Sequence, residues 1–220
     1  MSDQTTASDK AYRAILQAIL ENKLPKGEFL SQRKLAALAK TSIISVREAL
    51  KRLEHEHLLE FIPKWGVRIP LETRERIIAL YGIREALEVM VAYLLAKTIS
   101  DAEAELLYQK AEECDLMRTD STYIIDDVAK KHRELHLRMA ETTGNLEIKK
   151  ELECLSLRSL LYQSKKLVGT SKIDNSERWH RWLVEEIISH DTVRAQEAMH
   201  HHIQHGLHYD LFMFDQGMLQ

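Results

Sequence analysis

Eleven histidines occur in the 220 residues, and four of them fall where a helix would turn them inward. His132 continues the apolar stripe of Ile125 and Val128, and His136 follows one helical turn later on the same face. His180 shares a stripe with Leu183 and Ile187, while His202 follows Ala195, Ala198 and Met199. Imidazole nitrogens brought together from converging helices are suitable ligands for a divalent transition metal. A set made only of neutral nitrogen donors favours Zn²⁺ or Ni²⁺ over the harder, oxygen-seeking Mn²⁺. His200 and His201 point away from that face and read as solvated. A metal-free pocket that uses the same four histidines as hydrogen-bond donors is the other reading of the pattern.

The elements that must position these residues are helices. From Arg74 onward, apolar residues recur at three- and four-residue spacing over Arg74–Ile99, Asp101–Arg118, Tyr123–Glu141, Leu146–Leu167, Glu177–His190 and Thr192–Phe214. The joints are short and polar, as in Thr142-Thr143-Gly144-Asn145 and Gly169-Thr170-Ser171. Six helices with short joints predict an antiparallel bundle. Apolar surface left over on such a bundle commonly pairs two subunits, so a homodimer is expected.

The first seventy residues have another character. In LSQRKLAALAKTSIISVREALKRLE, Leu35, Ala36 and Ala39 form one short helical stripe, and Val46, Leu50 and Leu53 a second. Between them Lys40-Thr41-Ser42 offers two hydroxyls, either of which can cap the second helix. Two short helices joined by such a turn have the geometry of a helix-turn-helix. A further helix, AYRAILQAIL, precedes them. After them LLEFIPKWGVRIP alternates apolar residues around a Pro-Lys-Trp-Gly turn, which predicts a β-hairpin with Pro63 and Gly66 at its tip. The fold class is therefore mainly α: an N-terminal winged helix-turn-helix over residues 1–71, then an all-α bundle over 72–220. Charge divides the same way. Residues 1–74 carry 13 Lys and Arg against 9 Asp and Glu, whereas the remainder carries 18 against 25. A basic head on an acidic body suits a DNA-binding module attached to a sensing or pairing domain. Ser42 and Ser45, at the start of the second helix, would offer hydroxyls to DNA.

Other classes are disfavoured. Cys114 and Cys154 are the only cysteines, so neither a disulfide framework nor a cysteine-ligated zinc site is available. No apolar run is long enough to span a bilayer, and the polar opening MSDQTTASDK lacks a signal-peptide core, so a cytoplasmic setting is expected.

The order LPKGEFLSQRKLA, SVREALKRLE and LLEFIPKWGVRI resembles the DNA-binding domain of the GntR superfamily of bacterial transcription regulators, over about Ala11 to Ile69. The resemblance implies DNA contacts at Arg33 of the second helix, Arg47 of the recognition helix and Gly66 of the wing. An arginine fork can hold guanine O6 and N7 or a phosphate. Two departures matter. Ile43 replaces an arginine that commonly reads a base, and an exposed isoleucine can pack on a thymine methyl. His57 replaces a usual glycine before the wing.

The second half resembles the FCD effector domain of the FadR subfamily in its shorter, VanR-like form, over roughly Arg74 to His208. His136 precedes Gly144-Asn145 at the family distance, His180 ends Ser176-Glu177-Arg178-Trp179-His180, and Met199-x-x-His202-Ile203 closes the pattern. The resemblance implies metal ligands at His136, His180 and His202. Where the family has an aspartate, four residues before the first histidine, this chain has His132. Arg84, in Ile83-Arg84-Glu85-Ala86-Leu87-Glu88, matches a family motif and would either face an effector pocket or serve as a surface or interface charge.

These features together predict a homodimeric transcription regulator, a repressor, that binds a double-stranded operator. Its bundle would bind a divalent metal, Zn or Ni, and a small organic-acid effector. The rival is a helical-bundle metalloenzyme, for which Glu54-x-x-His57 and Glu177-x-x-His180 have the required spacing.

Overall fold

The computed structural model describes residues 6–119, 125–163 and 179–217, and these divide into two compact units. The first runs to Glu72 and also takes in the end of α7 from Leu157, beyond the boundary expected at residue 71; the second begins at Thr73.

The first unit contains α1 (Ala7–Leu20), α2 (Gln32–Ala39), α3 (Ile43–His55), β1 (Glu60–Ile62) and β2 (Gly66–Arg68). Thr6 starts α1 through a capping box with Asp9. The step between α2 and α3 is set by two local devices. Lys40 adopts left-handed backbone, with Thr41 N–H donating to Ala36 O and Lys40 N–H to Ala37 O, which closes α2 as a Schellman motif. Ser42 then caps α3 by accepting the Ser45 N–H at 3.1 Å. Of the two candidate hydroxyls, the cap is therefore Ser42. The buried faces of the three helices meet Leu58, Leu59, Val67 and Ile69 in one core.

The hairpin pairs Phe61 with Val67 and Ile62 with Gly66. Its tip differs from the expected one: Pro63, Lys64 and Trp65 form the turn, and Gly66 opens β2. Lys64 takes the left-handed conformation there, with Trp65 N–H donating to Ile62 O at 3.0 Å. Behind the wing, Gly27 N–H donates to Ile69 O and Leu30 N–H to Val67 O, tying the α1–α2 loop to β2. Gly27 is required at that loop. Its φ is +77°, and an added Cβ would meet the Leu71 side chain at 3.1 Å.

The second unit holds α4 (Arg74–Thr98), α5 (Asp101–Thr119), α6 (Ile125–Thr142), α7 (Leu146–Gln163) as far as Ser156, α8 (Trp179–Ile188) and α9 (Thr192–Asp215). These are the six expected helices, with ends shifted by a residue or two where the description covers them. The expected start of α6 at Tyr123, the end of α7 at Leu167, the Gly169-Thr170-Ser171 joint and Glu177 lie outside the described residues. The long helices α4 and α9 pack along each other, α5 packs on α6 and α8, and α8 also contacts α9. Their shared core includes Val91, Leu95, Leu107, Leu135, Met139, Leu183, Ile187 and Ile203. Each histidine-bearing helix thus delivers one face to a common interior. No described helix is long and apolar enough to cross a membrane.

Candidate functional site

Helix α6 carries His132 and His136 one turn apart, and α9 brings His202 across from them. The three Nε2 atoms form a small triangle: His132 to His136 3.0 Å, His136 to His202 3.1 Å, and His132 to His202 3.2 Å. Metal–nitrogen bonds of about 2.0–2.1 Å place neighbouring donors about 2.9–3.4 Å apart, between right-angle and tetrahedral arrangements. The triangle falls within that range.

Behind His136, the buried Glu88 of α4 accepts a hydrogen bond from Nδ1–H. A carboxylate can only accept here, so the proton of neutral His136 sits on Nδ1 and Nε2 presents its lone pair to the cluster. With that nitrogen fixed as an acceptor, no placement of protons on His132 and His202 makes three hydrogen bonds of the three edges. Protons that satisfy the two edges at His136 face each other across the third. A cation among the nitrogens removes that conflict. The Arg84 Nε in turn donates to Glu88 Oε1 at 2.6 Å. Burial alone would raise the Glu88 carboxyl, but His136 and Arg84 outweigh it and hold it down at about 2. Burial and the surrounding imidazoles push His132 well below the ordinary histidine range, which keeps it neutral and able to donate a lone pair.

His180, at the start of α8, stands beside this triangle rather than inside it. Its ring centre lies 5.1 Å from that of His132 and 5.2 Å from that of His202, as near as the three rings lie to one another, so it is set apart only by its ligand atoms. The compact group of ligand atoms consists of His132, His136 and His202. Asp115 of α5 accepts the His180 Nδ1–H at 2.7 Å, together with the backbone N–H groups of His180 and Arg181. That fixes the tautomer so that Nε2 is the donor atom, as at His136. Burial would raise Asp115 as well, but the hydrogen bonds from His180 and Arg181 keep its carboxyl below the usual range. Arg84 is turned into the bundle, engaged with Glu88 and 5.5 Å from the centre of the Tyr81 ring. His200 and His201 are exposed on α9, and His200 Nδ1 lies 2.7 Å from Glu85 Oε1 of α4.

In the first unit, Arg33 on α2 and Arg47 on α3 are both exposed, and Arg47 Nε donates to Gln32 Oε1 at 2.9 Å, which links the two helices. Ser42 is exposed at the head of α3. Ser45 departs from expectation: it is only 8% exposed, with its hydroxyl 3.0 Å from that of Ser42 inside the cap. Its position on the core side of α3, beside Val46, takes it away from the outward face. Gly66 has φ +106° and open space around its Cα. Next to it, Trp65 stacks on Phe29 at 5.7 Å between ring centres.

Known families match both units. The model of the bacterial regulatory proteins of the gntR family matches residues 7–69, and that of the FCD domain matches 79–205, more than half of the chain. The chain belongs to the GntR family, with an FCD domain. The HTH-type transcriptional repressor GlaR of Escherichia coli (strain K12) is 24% identical over 199 residues, covering 84% of this chain and 89% of that protein. The HTH-type transcriptional regulator YdhC of Bacillus subtilis (strain 168) is 22% identical, covering 94% and 92%. Among solved structures, E. coli McbR/YncC superposes with a TM-score of 0.74 at 16% identity, over 95% of this chain and 99% of that one. A GntR regulator from Rhodococcus sp. RHA1 gives 0.68 at 17% identity, over 93% and 97%. These last two likenesses concern the fold.

This GntR protein is a DNA-binding transcription regulator and not an enzyme, which disposes of the metalloenzyme alternative. Of the two Glu-x-x-His pairs that suggested it, Glu54 and His57 belong to the DNA-binding unit, and Glu177 of the other lies outside the described residues. Two functional residues of the FCD unit escaped the sequence reading. Glu88 carried a signal, since it lies one helical turn after Arg84 in the quoted motif. Asp115 carried none, because a carboxylate 65 residues before His180 is linked to it only by the packing of α5 on α8.

Proposed function

We propose that the protein is a homodimeric, FadR-type repressor whose bundle binds a divalent transition metal and, next to it, a small carboxylate effector that modulates operator binding. The observation that carries this reading is the triangle of His132, His136 and His202 Nε2 atoms, 3.0–3.2 Å on each edge, inside the bundle. Those three histidines would hold the metal, with His180 as the fourth donor. Glu88 and Asp115 orient His136 and His180 and make both more basic. When bound, the ion supplies a Lewis-acidic position that attracts an anionic oxygen. An all-nitrogen donor set favours zinc or nickel. Arg84 adds fixed positive charge close to the site, which suits an anionic effector.

Repression is supported by the name of the relative GlaR. Pairing of two copies is supported by α4, which buries Ile77, Leu80, Val91 and Leu95 yet leaves Ile78, Ile83 and Met90 exposed, so it is apolar on two sides. On the DNA side, Arg33, Ser42, Arg47 and Gly66 belong to the contact surface, with two basic units meeting two half-sites. An effector held in the bundle would change operator affinity to the extent that it binds one dimer arrangement better than another.

The test uses an operator duplex obtained by selection with the full-length protein. Metal-stripped protein, then the same protein reloaded with Zn²⁺ or Ni²⁺, is titrated with small mono- and dicarboxylates while operator binding is followed by fluorescence anisotropy. A carboxylate that shifts operator affinity only in the metal-loaded protein is expected. Operator binding that ignores both metal and every carboxylate contradicts the proposal.

A further inference from the structure

The two most exposed large apolar side chains among the described residues are Ile44, 72% exposed, and Trp65, 71% exposed. Both belong to the DNA-binding unit, one at the head of the recognition helix and the other at the wing tip. Ile44 is the second residue of α3. Val46, Ala49, Leu50 and Leu53 carry the core face of that helix, while Ile44 lies three and seven residues before Arg47 and Lys51, on their exposed face. Its side chain therefore contributes nothing to the core, and its exposure has no structural use within the unit.

The first residues of the second helix of a helix-turn-helix meet base edges in the major groove, while cations further along meet phosphates or guanines. Isoleucine has neither donor nor acceptor. The apolar group that a base edge offers in that groove is the C5 methyl of thymine. We propose that Ile44 reads the methyl group of a thymine in each half-site, with Ile43 packed alongside it. The same contact rejects G·C at that position, because hydrocarbon laid against the cytosine amino group or guanine O6 would strip it of water without replacing the hydrogen bond. The operator would then require an A·T pair at the position that Ile44 faces. The proposal rests on α3 being the DNA-reading helix.

Full-length protein is used to enrich duplexes from a random-sequence pool, and each thymine of the enriched duplex is then replaced singly by deoxyuridine, which removes only the methyl. One thymine per half-site should be sensitive, losing about fourfold in affinity, the value of one buried methyl. Ile44→Ala, which removes an exposed side chain and keeps the wild-type melting temperature, should bind the thymine and uracil forms alike. Lys51→Ala should weaken both forms and preserve the fourfold ratio. A wild-type protein indifferent to uracil at every position, or an Ile44→Ala variant that keeps the ratio, overturns the proposal. Failure to enrich any duplex would defeat the operator reading itself, and this inference with it.

Discussion

Asp115 holds His180 by two points at once, accepting its Nδ1–H at 2.7 Å and its backbone N–H at 2.9 Å through the same oxygen. Its second oxygen takes the Arg181 N–H at 3.0 Å, so the carboxylate also serves the first turn of α8. One buried side chain on α5 thereby sets the place, the orientation and the tautomer of a histidine on another helix.

Asp115→Asn should separate these roles. The amide keeps one accepting oxygen for the Nδ1–H and backbone N–H of His180, loses the acceptor for the Arg181 N–H, and no longer brings a negative charge to the imidazole. Metal affinity, measured by competition with a chromogenic chelator, should fall about 10–100-fold, while helical content by circular dichroism stays at the wild-type level. An unchanged affinity would limit Asp115 to capping.

Arg47→Ala should cost about 1–3 kcal/mol of operator discrimination and leave fold and pairing intact, since the guanidinium is exposed and bonds to Gln32 at the start of α2. Anisotropy titrations against operator and scrambled duplex measure the difference. Wild-type affinity should also drop steeply with salt as phosphate contacts release counterions. A flat salt response would remove the phosphate contacts from the account.

His57 provides a stability test. It follows the α3 cap with φ +58°, its N–H donates to Glu54 O, and the next residue, Leu58, donates to Leu53 O. This is the position in a Schellman motif where glycine is favoured. His57→Gly relieves left-handed strain of roughly 1–2 kcal/mol against an entropic cost of about 0.5–1 kcal/mol. The melting temperature should therefore rise by a few degrees. His57→Val, with a β-branched side chain in the same conformation, should lower it. A drop for both variants would mean that the histidine side chain itself stabilises the turn.

Cys114 should be chemically silent. Burial, reinforced by the Asp115 and Glu113 charges, pushes its thiol up to about 12, so at pH 8 almost none of it is thiolate in the folded protein. Iodoacetamide at that pH should label the half-buried Cys154 and spare Cys114, as read by peptide mass spectrometry. The raised value favours the neutral thiol, so protection persists as pH rises until about 12 or until the protein unfolds. Equal labelling of both cysteines under native conditions would contradict the packing around α5.

Much of this architecture was legible because it repeats locally. Three- and four-residue apolar spacing marks α4 to α9, and the Lys40-Thr41-Ser42 step marks the helix-turn-helix. His132, His136, His180 and His202 could be singled out because each continues an apolar stripe. What spacing could not convey was how those stripes meet. It does not say that His132 joins His136 and His202 while His180 stands aside, because that depends on how α6, α8 and α9 pack. Nor does it tell that Ser45, three residues into a helix, turns its hydroxyl back into the Ser42 cap. The wing shows the same limit. The Pro-Lys-Trp-Gly turn was legible, but not that Lys64 takes left-handed backbone and that Gly66 already opens β2.

The central claim is that His132, His136 and His202, with His180, hold a metal in the folded bundle. The most direct measurement is thermal unfolding of metal-stripped wild-type, His201→Ala and His202→Ala proteins, each with and without added Zn²⁺ or Ni²⁺, together with the metal retained after dialysis. Wild-type and His201→Ala should retain metal and gain about 2.7 kcal/mol of stability when free metal is about 100 times its dissociation constant. His202→Ala should lose most of both, since His202 supplies one corner of the triangle while His201 faces solvent. A wild-type protein that retains no metal and gains no stability, with the two variants behaving alike, would show that the histidines serve the core and not an ion.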